Sequence, residues 1–168
     1  MYPVGSYVIY GAMGVCVVED VSVPDFCAPE EPKYYYSLRP VHSAGAILAP
    51  VDTPVFMRTV ISHDDAEALI DSIPSLPAVP FPGRGLQELK AFYAEALKSK
   101  TCLELVELLL SIRAKKTERE SRNQKLGVID ESCLKRAEAL LFDELAIALD
   151  IPAEEVGGFI RARIGDML

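Results

Sequence analysis

The pattern of apolar positions changes near residue 61. Up to that point, short runs rich in Val, Ile and Tyr are broken by Gly and Pro, which is typical of β-strands joined by turns. Five such runs, with no room for crossover helices, predict an antiparallel meander that curls into a small barrel or SH3-like sheet. The runs occupy residues 6–10, 14–23, 33–41, 46–51 and 55–61.

Beyond residue 61 the apolar positions recur at helical spacing. Ser62 and Asp65 resemble a capping box, which predicts a short helix directly after the strands. Thr101 and Glu104 form a second capping box at the start of a longer helix. Asp130 is a good N-cap for the helix after that.

A stretch rich in proline and glycine separates the short helix from the later ones. Residues 74–85 contain four prolines and two glycines, too many interruptions for a helix or an inner strand. We therefore place a domain boundary there. The predicted architecture is α+β, with a small antiparallel β-barrel domain in residues 1–73, a linker in residues 74–85 and an all-α helical domain in residues 86–168.

The net charge of −8 excludes a uniformly basic nucleic-acid binder. The charge is uneven along the chain, however. Residues 1–80 hold three basic and ten acidic groups, a net of −7, whereas residues 84–136 hold 12 basic and eight acidic groups, a net of +4. Residues 137–168 return to a net of −5, with two basic and seven acidic groups. Positive charge is thus confined to one part of the helical half.

The densest basic run lies between residues 113 and 125. On a helix, Lys115, Arg119 and Arg122 fall on one face, and Lys116 lies beside them. Such a face is suited to meeting phosphates. The alternative is that it is the solvated end of a long helix, where cations also interact favourably with the helix dipole.

The sequence lacks the common catalytic motifs: no phosphate-binding loop, dinucleotide fingerprint, nucleophile elbow or H-E-x-x-H appears. The four cysteines are scattered, and only His42 and His63 could join them in a metal site. No apolar run reaches the roughly 18 residues of a membrane span. We expect a cytoplasmic, non-enzymatic protein with no cofactor, metal, membrane association or small-molecule substrate. An enzyme would require distant acids and one of the histidines to converge.

The order and spacing of several short motifs resemble the CarD (CdnL-type) bacterial transcription regulators. The resemblance spans nearly the whole chain, and no single motif carries it alone. The motifs in the first half are VGSYVIY (4–10), GV (14–15), YYSLRP (35–40), APVD (49–52) and RTVIS (58–62). Those in the second half are YAEALKS (93–99), ELV (104–106), AEALL (137–141) and DELAIAL (143–149).

This resemblance implies a Tudor-like amino-terminal domain that binds the β subunit of RNA polymerase. An exposed strand edge suits such binding, because its unpaired N–H and C=O groups extend a partner's sheet. The alternative is that the matching segment is an internal strand of the barrel. The residues expected to bind polymerase are Ala46, Ile47, Leu48, Ala49 and Pro50, together with Arg39.

The resemblance also implies that the helical domain touches promoter DNA at the upstream edge of the transcription bubble. Family members often carry a tryptophan wedge near the start of this domain, but the chain has no tryptophan. Phe81 and Leu86 are the nearest large apolar residues, and Phe81 is favoured because an aromatic ring stacks on an exposed base. The other expected DNA contacts are Arg84, Lys90, Arg113, Lys115, Lys116 and Arg119.

The acidic balance predicts weak DNA binding by the isolated protein, since phosphate contacts supply most of the sequence-independent affinity. Binding to polymerase would raise the local concentration of DNA and offset this weakness. The leading hypothesis is therefore a regulator that alters the lifetime of the open promoter complex. The alternative is an adaptor that binds polymerase or another protein without contacting DNA.

Overall fold

The chain forms two compact units, Met1–Val60 and Ile61–Leu168. The computed structural model describes residues 1–28, 30–81, 85–98 and 101–168. The first unit contains the strands and the second contains the helices. An amino-terminal β domain followed by a helical domain is therefore confirmed.

The described residues of the first unit form a five-stranded antiparallel sheet in the order β4-β3-β2-β1-β5. Each predicted strand run contains one of these strands. Among the described strands the sheet is open, with β4 and β5 at its two edges. The strands are β1 (Tyr7–Tyr10), β2 (Gly14–Ser22), β3 (Tyr35–Pro40), β4 (Ile47–Pro50) and β5 (Met57–Thr59).

The turn between β1 and β2 depends on two glycines. Gly11 has φ of 47° and Gly14 has φ of 81°, backbone conformations that are costly for residues with a Cβ. A single 3₁₀ turn, Gly11–Met13, joins the two strands. The hairpin expected from these glycines is therefore present.

Side chains alternate along each strand, so one face of the sheet carries the buried core, while the opposite face is exposed at β3 and β4 but buried at Ile9 and Val15 of β1 and β2. A β-bulge between Val18 and Asp20 keeps the apolar side chains of β2 on the buried face. The outer face carries polar or exposed groups such as Asp20, Ser37 and Leu48, which lie opposite one another across three strands. The buried core comprises Val8, Cys16, Val18, Tyr36, Leu38 and Ala49.

The described residues of the second unit form five α-helices around an apolar core. Helices begin at both predicted capping sequences: the Ser62 hydroxyl acts as an N-cap and accepts from the Asp65 N–H at 3.1 Å, and Thr101 and Glu104 form a reciprocal capping box. Among the described residues, no helix combines the length and apolarity needed to cross a membrane. The helices are α1 (His63–Ser72), α2 (Leu86–Ala96), α3 (Cys102–Ser121), α4 (Val128–Leu149) and α5 (Ala153–Ile164).

Helix α1 belongs to the helical unit, not to the sheet. Its apolar residues Ala66 and Ile70 are fully buried in the helical core. Buried Glu144 accepts the Ile61 N–H at 3.0 Å and holds the start of this unit to α4. The division between compact units therefore falls at residues 60–61, whereas the sequence placed α1 in the first domain and the boundary at residues 74–85.

Asp130 is not an N-cap, contrary to the sequence prediction. Helix α4 begins two residues earlier, at Val128, with Gly127 in the N-cap position. Asp130 is only 2% exposed, and its carboxylate accepts hydrogen bonds from the Tyr93 hydroxyl and the Lys115 ammonium. A buried carboxylate needs such partners, and these lie 37 and 15 residues away in the chain.

Candidate functional site

Strand β4 lies at an edge of the sheet and pairs with β3 alone among the described strands. The Val51 N–H donates to the Tyr34 carbonyl at 3.0 Å, which fixes the hydrogen-bonded positions of this pair of strands. Because such positions alternate in antiparallel strands, the backbone groups of Ile47 and Ala49 face β3. The N–H and C=O of Leu48 therefore point away from the sheet.

The side chains of β4 divide between the two faces of the sheet. Ile47 and Ala49 pack in the core, whereas Leu48 is 52% exposed on the outer face. Pro50 is half-buried, and its carbonyl accepts the Thr53 N–H at 3.0 Å, which ends the strand in a turn. Leu48 thus offers both an outward backbone and an exposed apolar side chain.

Arg39 lies on β3 beside this edge. The register that pairs Leu38 with Ile47 places Arg39 opposite Ala46, one residue before β4 begins. Its guanidinium is about half exposed and forms an ion pair with Glu19, which stands at the β-bulge of β2. The fold therefore brings all six residues expected to bind polymerase to one corner of the sheet.

Phe26 extends the apolar surface near β4, although no sequence pattern indicated this role. It lies in the proline-rich loop between β2 and β3, is exposed, and packs edge-on against Tyr35 with 5.5 Å between ring centroids. Tyr35 stands opposite Pro50 in the register of β3 and β4. An exposed aromatic group thus borders the edge strand.

On α3, Lys115 is committed to a structural contact. Its ammonium donates to Asp130 Oδ1 at 2.8 Å, and its side chain is only 19% exposed. Burial, together with the hydrogen bond to the Asp130 carboxylate, raises the pKa of Tyr93 far above its ordinary value. Burial also raises the pKa of the Cys133 thiol to about 12, helped by the same carboxylate. Lys115 therefore balances a buried negative charge.

The other basic residues of α3 also contact groups of their own unit, but at exposed or half-exposed positions. Arg113 lies 3.8 Å from Glu138, and Lys116 lies 3.9 Å from Glu120. Arg119 donates to a backbone carbonyl at 3.3 Å. Exposed ion pairs of this kind contribute about 0–1 kcal/mol, so a phosphate competes with them readily.

The residues expected near the bubble edge differ in exposure. Phe81 is half-buried and packs against Phe92 and Tyr93, with 5.0 and 6.3 Å between ring centroids. Leu86, the first residue of α2, is 73% exposed. Lys90 is exposed on the same helix, and Arg84 lies outside the described residues. Leu86 therefore needs no rearrangement to contact a partner, whereas Phe81 must leave an aromatic cluster.

Two cavities of opposite charge lie beside α2. The acidic cavity, of about 450 Å³, is lined by Phe81, Phe92, Glu104 and Glu107 among others. The basic cavity, of about 400 Å³, has walls that include Lys90, Tyr93, Leu97, Val128, Ser132 and Arg136. Sequence reasoning singled out Lys90 but missed Arg136, because these residues lie on different helices and come together only through packing.

No protein-family model matches the chain, and no curated protein shows significant similarity to it. The features that bear on its function are therefore its own surfaces. These are the open edge of β4, the partly neutralised basic face of α3, the exposed start of α2 and the two cavities.

Proposed function

We propose that the protein is a non-catalytic transcription regulator that binds the β subunit of bacterial RNA polymerase through β4. The helical unit then contacts promoter DNA at the upstream edge of the bubble and changes the lifetime of the open complex. The motifs shared with CarD-type regulators supply the identity of the partner. The observation that carries the proposal is the open edge of β4, with Leu48 exposed upon it.

The order of the strands supports a Tudor-like fold for the first unit. Strand β1 lies between β2 and β5, so the meander returns to its own first strand after four consecutive antiparallel strands. In a small twisted sheet, this connection brings the two edges toward closure into a barrel. The barrel is part of the proposal.

Strand addition explains how β4 would recognise polymerase. An extended segment of the β subunit pairs with the outward N–H and C=O of Leu48, and these main-chain hydrogen bonds supply affinity. Alternate side chains of the added strand then contact Leu48 on the outer face, which supplies specificity. Phe26 and Tyr35 enlarge this apolar face, and Arg39 adds a charge at its end.

A binding assay of the full chain against β-subunit fragments tests the docking step. Leu48→Pro removes the outward N–H without removing a hydrogen bond to β3, and proline is tolerated on edge strands. We expect at least a tenfold loss of affinity for Leu48→Pro. Leu48→Ala, which keeps the N–H, is expected to weaken binding less. Equal affinity of Leu48→Pro and the wild type, or no binding at micromolar concentrations by the wild type, would overturn the proposal.

The DNA half of the proposal rests on the start of α2 and the basic face of α3. Because the protein is acidic overall, DNA contact depends on delivery by polymerase, which raises the local DNA concentration. The lifetime of the open complex is measured with the Phe81→Ala and Leu86→Ala variants, to identify which side chain inserts as a wedge at the bubble edge. We expect the variant that lacks the wedge to shorten the lifetime, and unchanged lifetimes for both would remove the wedge from the mechanism.

A second candidate function is an adaptor that binds polymerase or another protein without touching DNA. The ion pairs on α3 favour it, since Lys115 is committed to Asp130 and its neighbours contact groups of their own unit. Crosslinking to DNA within the polymerase complex, measured at increasing salt, separates the two candidates. Salt-sensitive crosslinks from α3 support DNA contact, and their absence supports the adaptor.

A further inference from the structure

The acidic cavity lies within the helical unit and has the features of a small-molecule site, which the proposed function does not use. Its volume of about 450 Å³ falls within the range of ligand-binding clefts. Residues 77–81, helix α2 and helix α3 all contribute to its walls. Most of the wall is apolar and includes Phe81, Phe92, Ala96 and Leu108. Ligand sites usually combine such apolar walls with a few polar groups, which determine what they bind.

The polar side chains at the walls come from one face of α3. Glu104, Glu107 and Ser111 line the cavity. Their spacings of three and four residues make them neighbours along the helix surface, with about 5–6 Å between successive Cβ atoms. Glu104 is held by the capping box at the start of α3, where its carboxylate accepts the Thr101 N–H at 2.8 Å. Glu107 and Ser111, one helical turn apart, are therefore the groups that a ligand would meet together.

Ser111 is a buried polar residue whose hydroxyl forms no hydrogen bond within the described parts of the chain. The residue is only 9% exposed, and it faces the cavity from the middle of α3. Buried hydroxyl groups nearly always have a hydrogen-bond partner, because burial without one is costly. A ligand with a polar group at this point would supply the missing partner.

Glu107 determines the charge of that polar group. Its side chain is exposed, and it forms no ion pair with any residue that the structure describes. No Lys or Arg stands among the described wall residues. An ammonium group has three N–H donors, enough to reach a carboxylate and a hydroxyl at once. The rings of Phe81 and Phe92, 5.0 Å apart between centroids, add aromatic surface that also attracts cations.

We propose that the acidic cavity binds a small amphipathic amine. Its ammonium group donates to the Glu107 carboxylate and the Ser111 hydroxyl, and its apolar body packs against Phe81, Phe92 and Leu108. This binding is independent of the β4 edge and requires neither polymerase nor DNA.

A fluorescence titration of the full chain with tryptamine, an indole that carries an ammonium group, tests the site. Because the chain has no tryptophan, the anisotropy of indole fluorescence reports binding without a protein background. Tryptophol, in which a hydroxyl replaces the ammonium, is the uncharged control. We expect tryptamine to bind about tenfold more tightly than tryptophol, since hydrogen bonds between charged groups are the stronger ones. Equal affinities, or no binding of tryptamine at millimolar concentration, would overturn the proposal.

Substitution of Glu107 tests the charge recognition. Glu107→Gln keeps the size of the side chain and should weaken tryptamine binding about tenfold, while tryptophol binding changes less than about twofold. Glu118→Gln, which removes the same charge from α3 away from the cavity walls, is the matched control and should bind both probes as the wild type does. Equal loss of both probes in Glu107→Gln would contradict the assigned role of its carboxylate.

Ser111→Ala separates a ligand contact from a structural role. Because the hydroxyl forms no hydrogen bond within the described chain, its removal should leave the midpoint of urea unfolding unchanged. Both probes have a polar group that bonds this hydroxyl, so both should bind about threefold more weakly. Unchanged binding of both probes with a lowered unfolding midpoint would assign Ser111 to the fold and remove it from the site.

Val79 allows a test that does not threaten the fold. It lines the cavity, is 64% exposed and lies outside the helices. Val79→Lys places a positive charge at the wall and should weaken tryptamine binding about tenfold relative to Val79→Gln, with little difference between the two variants for tryptophol. Equal tryptamine binding by the two variants would show that charge does not govern the cavity.

Competition against bound tryptamine then tests which part of the ligand is recognised. Hexylamine, which has an alkyl body and an ammonium group, should displace the probe, whereas hexanoate, with the opposite charge, should not. Displacement by hexanoate at the same concentration as hexylamine would contradict an amine site.

Discussion

Strand β4 and helix α3 carry most of the residues expected to contact partners. They differ in whether their polar groups already contact other groups of the same unit. The N–H and C=O of Leu48 point away from the sheet. On α3, Lys115 is held by a buried carboxylate, and Lys116 lies near an exposed one. Within the part of the chain that the structure describes, β4 pairs only with β3, so its outer edge is the more available interaction surface. This difference makes protein docking the stronger half of the proposed function.

The largest effect on the free energy of unfolding is expected at the buried ion pair between Lys115 of α3 and Asp130 of α4. Asp130→Asn leaves the Lys115 ammonium without its counter-charge and weakens the contact with Tyr93. We expect a loss of about 3 kcal/mol in the free energy of unfolding, measured with urea on the full chain. The double variant Lys115→Met with Asp130→Asn should recover part of this loss, because neither charge is then left unpaired. An equal loss in the single and double variants would contradict a structural role for Lys115.

The two neighbouring positions of β4 should respond differently to proline. Ala49→Pro removes an N–H that faces β3 and is expected to cost about 2 kcal/mol or more. Leu48→Pro removes an N–H that faces away and should cost less than about 1 kcal/mol. Urea unfolding of both variants checks the orientation of the strand. If Leu48→Pro were the more destabilising of the two, the outward edge assigned to Leu48 would be wrong.

A smaller, pH-dependent effect on the free energy of unfolding is expected at the ion pair between Arg163 of α5 and Asp71 of α1. Arg163 binds both carboxylate oxygens of Asp71, at 2.6 and 2.8 Å, and holds the pKa of Asp71 below its ordinary value of 3.8. A lowered folded-state pKa stabilises the fold at pH above the ordinary value, and this stabilisation is lost as pH falls through the lowered value. Asp71→Asn should therefore destabilise the chain at pH 7 and converge with the wild type in strong acid. A pH-independent difference in unfolding would contradict this contact.

The smallest effect is expected at the exposed pair on α3. Lys116→Gln breaks a contact of 3.9 Å between two exposed side chains and should change the free energy of unfolding by less than about 0.5 kcal/mol. The same urea assay measures it beside Asp130→Asn. A loss comparable to that of Asp130→Asn would show that the face of α3 is uniformly structural and would remove its availability to DNA.

The parts of the candidate site that depend on local sequence patterns were predictable. The strand containing Leu48 and the helix containing Lys116 could both be inferred from nearby residues. Phe26 could not, because nothing in its proline-rich loop indicates that its ring packs against Tyr35. Arg136 was missed for the same reason, since its proximity to Lys90 is a product of packing between two helices.

By itself, the sequence determined the five strands, the turn at Gly11 and Gly14, and the capped starts of α1 and α3. These features depend on hydrogen bonds and periodicities within a few residues, which local sequence encodes directly. Only the tertiary structure decided that α1 joins the helical unit and that Asp130 is buried against Tyr93 and Lys115. The sequence shows that an amphipathic face must be covered or that a buried carboxylate must be paired, but the packing of distant segments determines the partner.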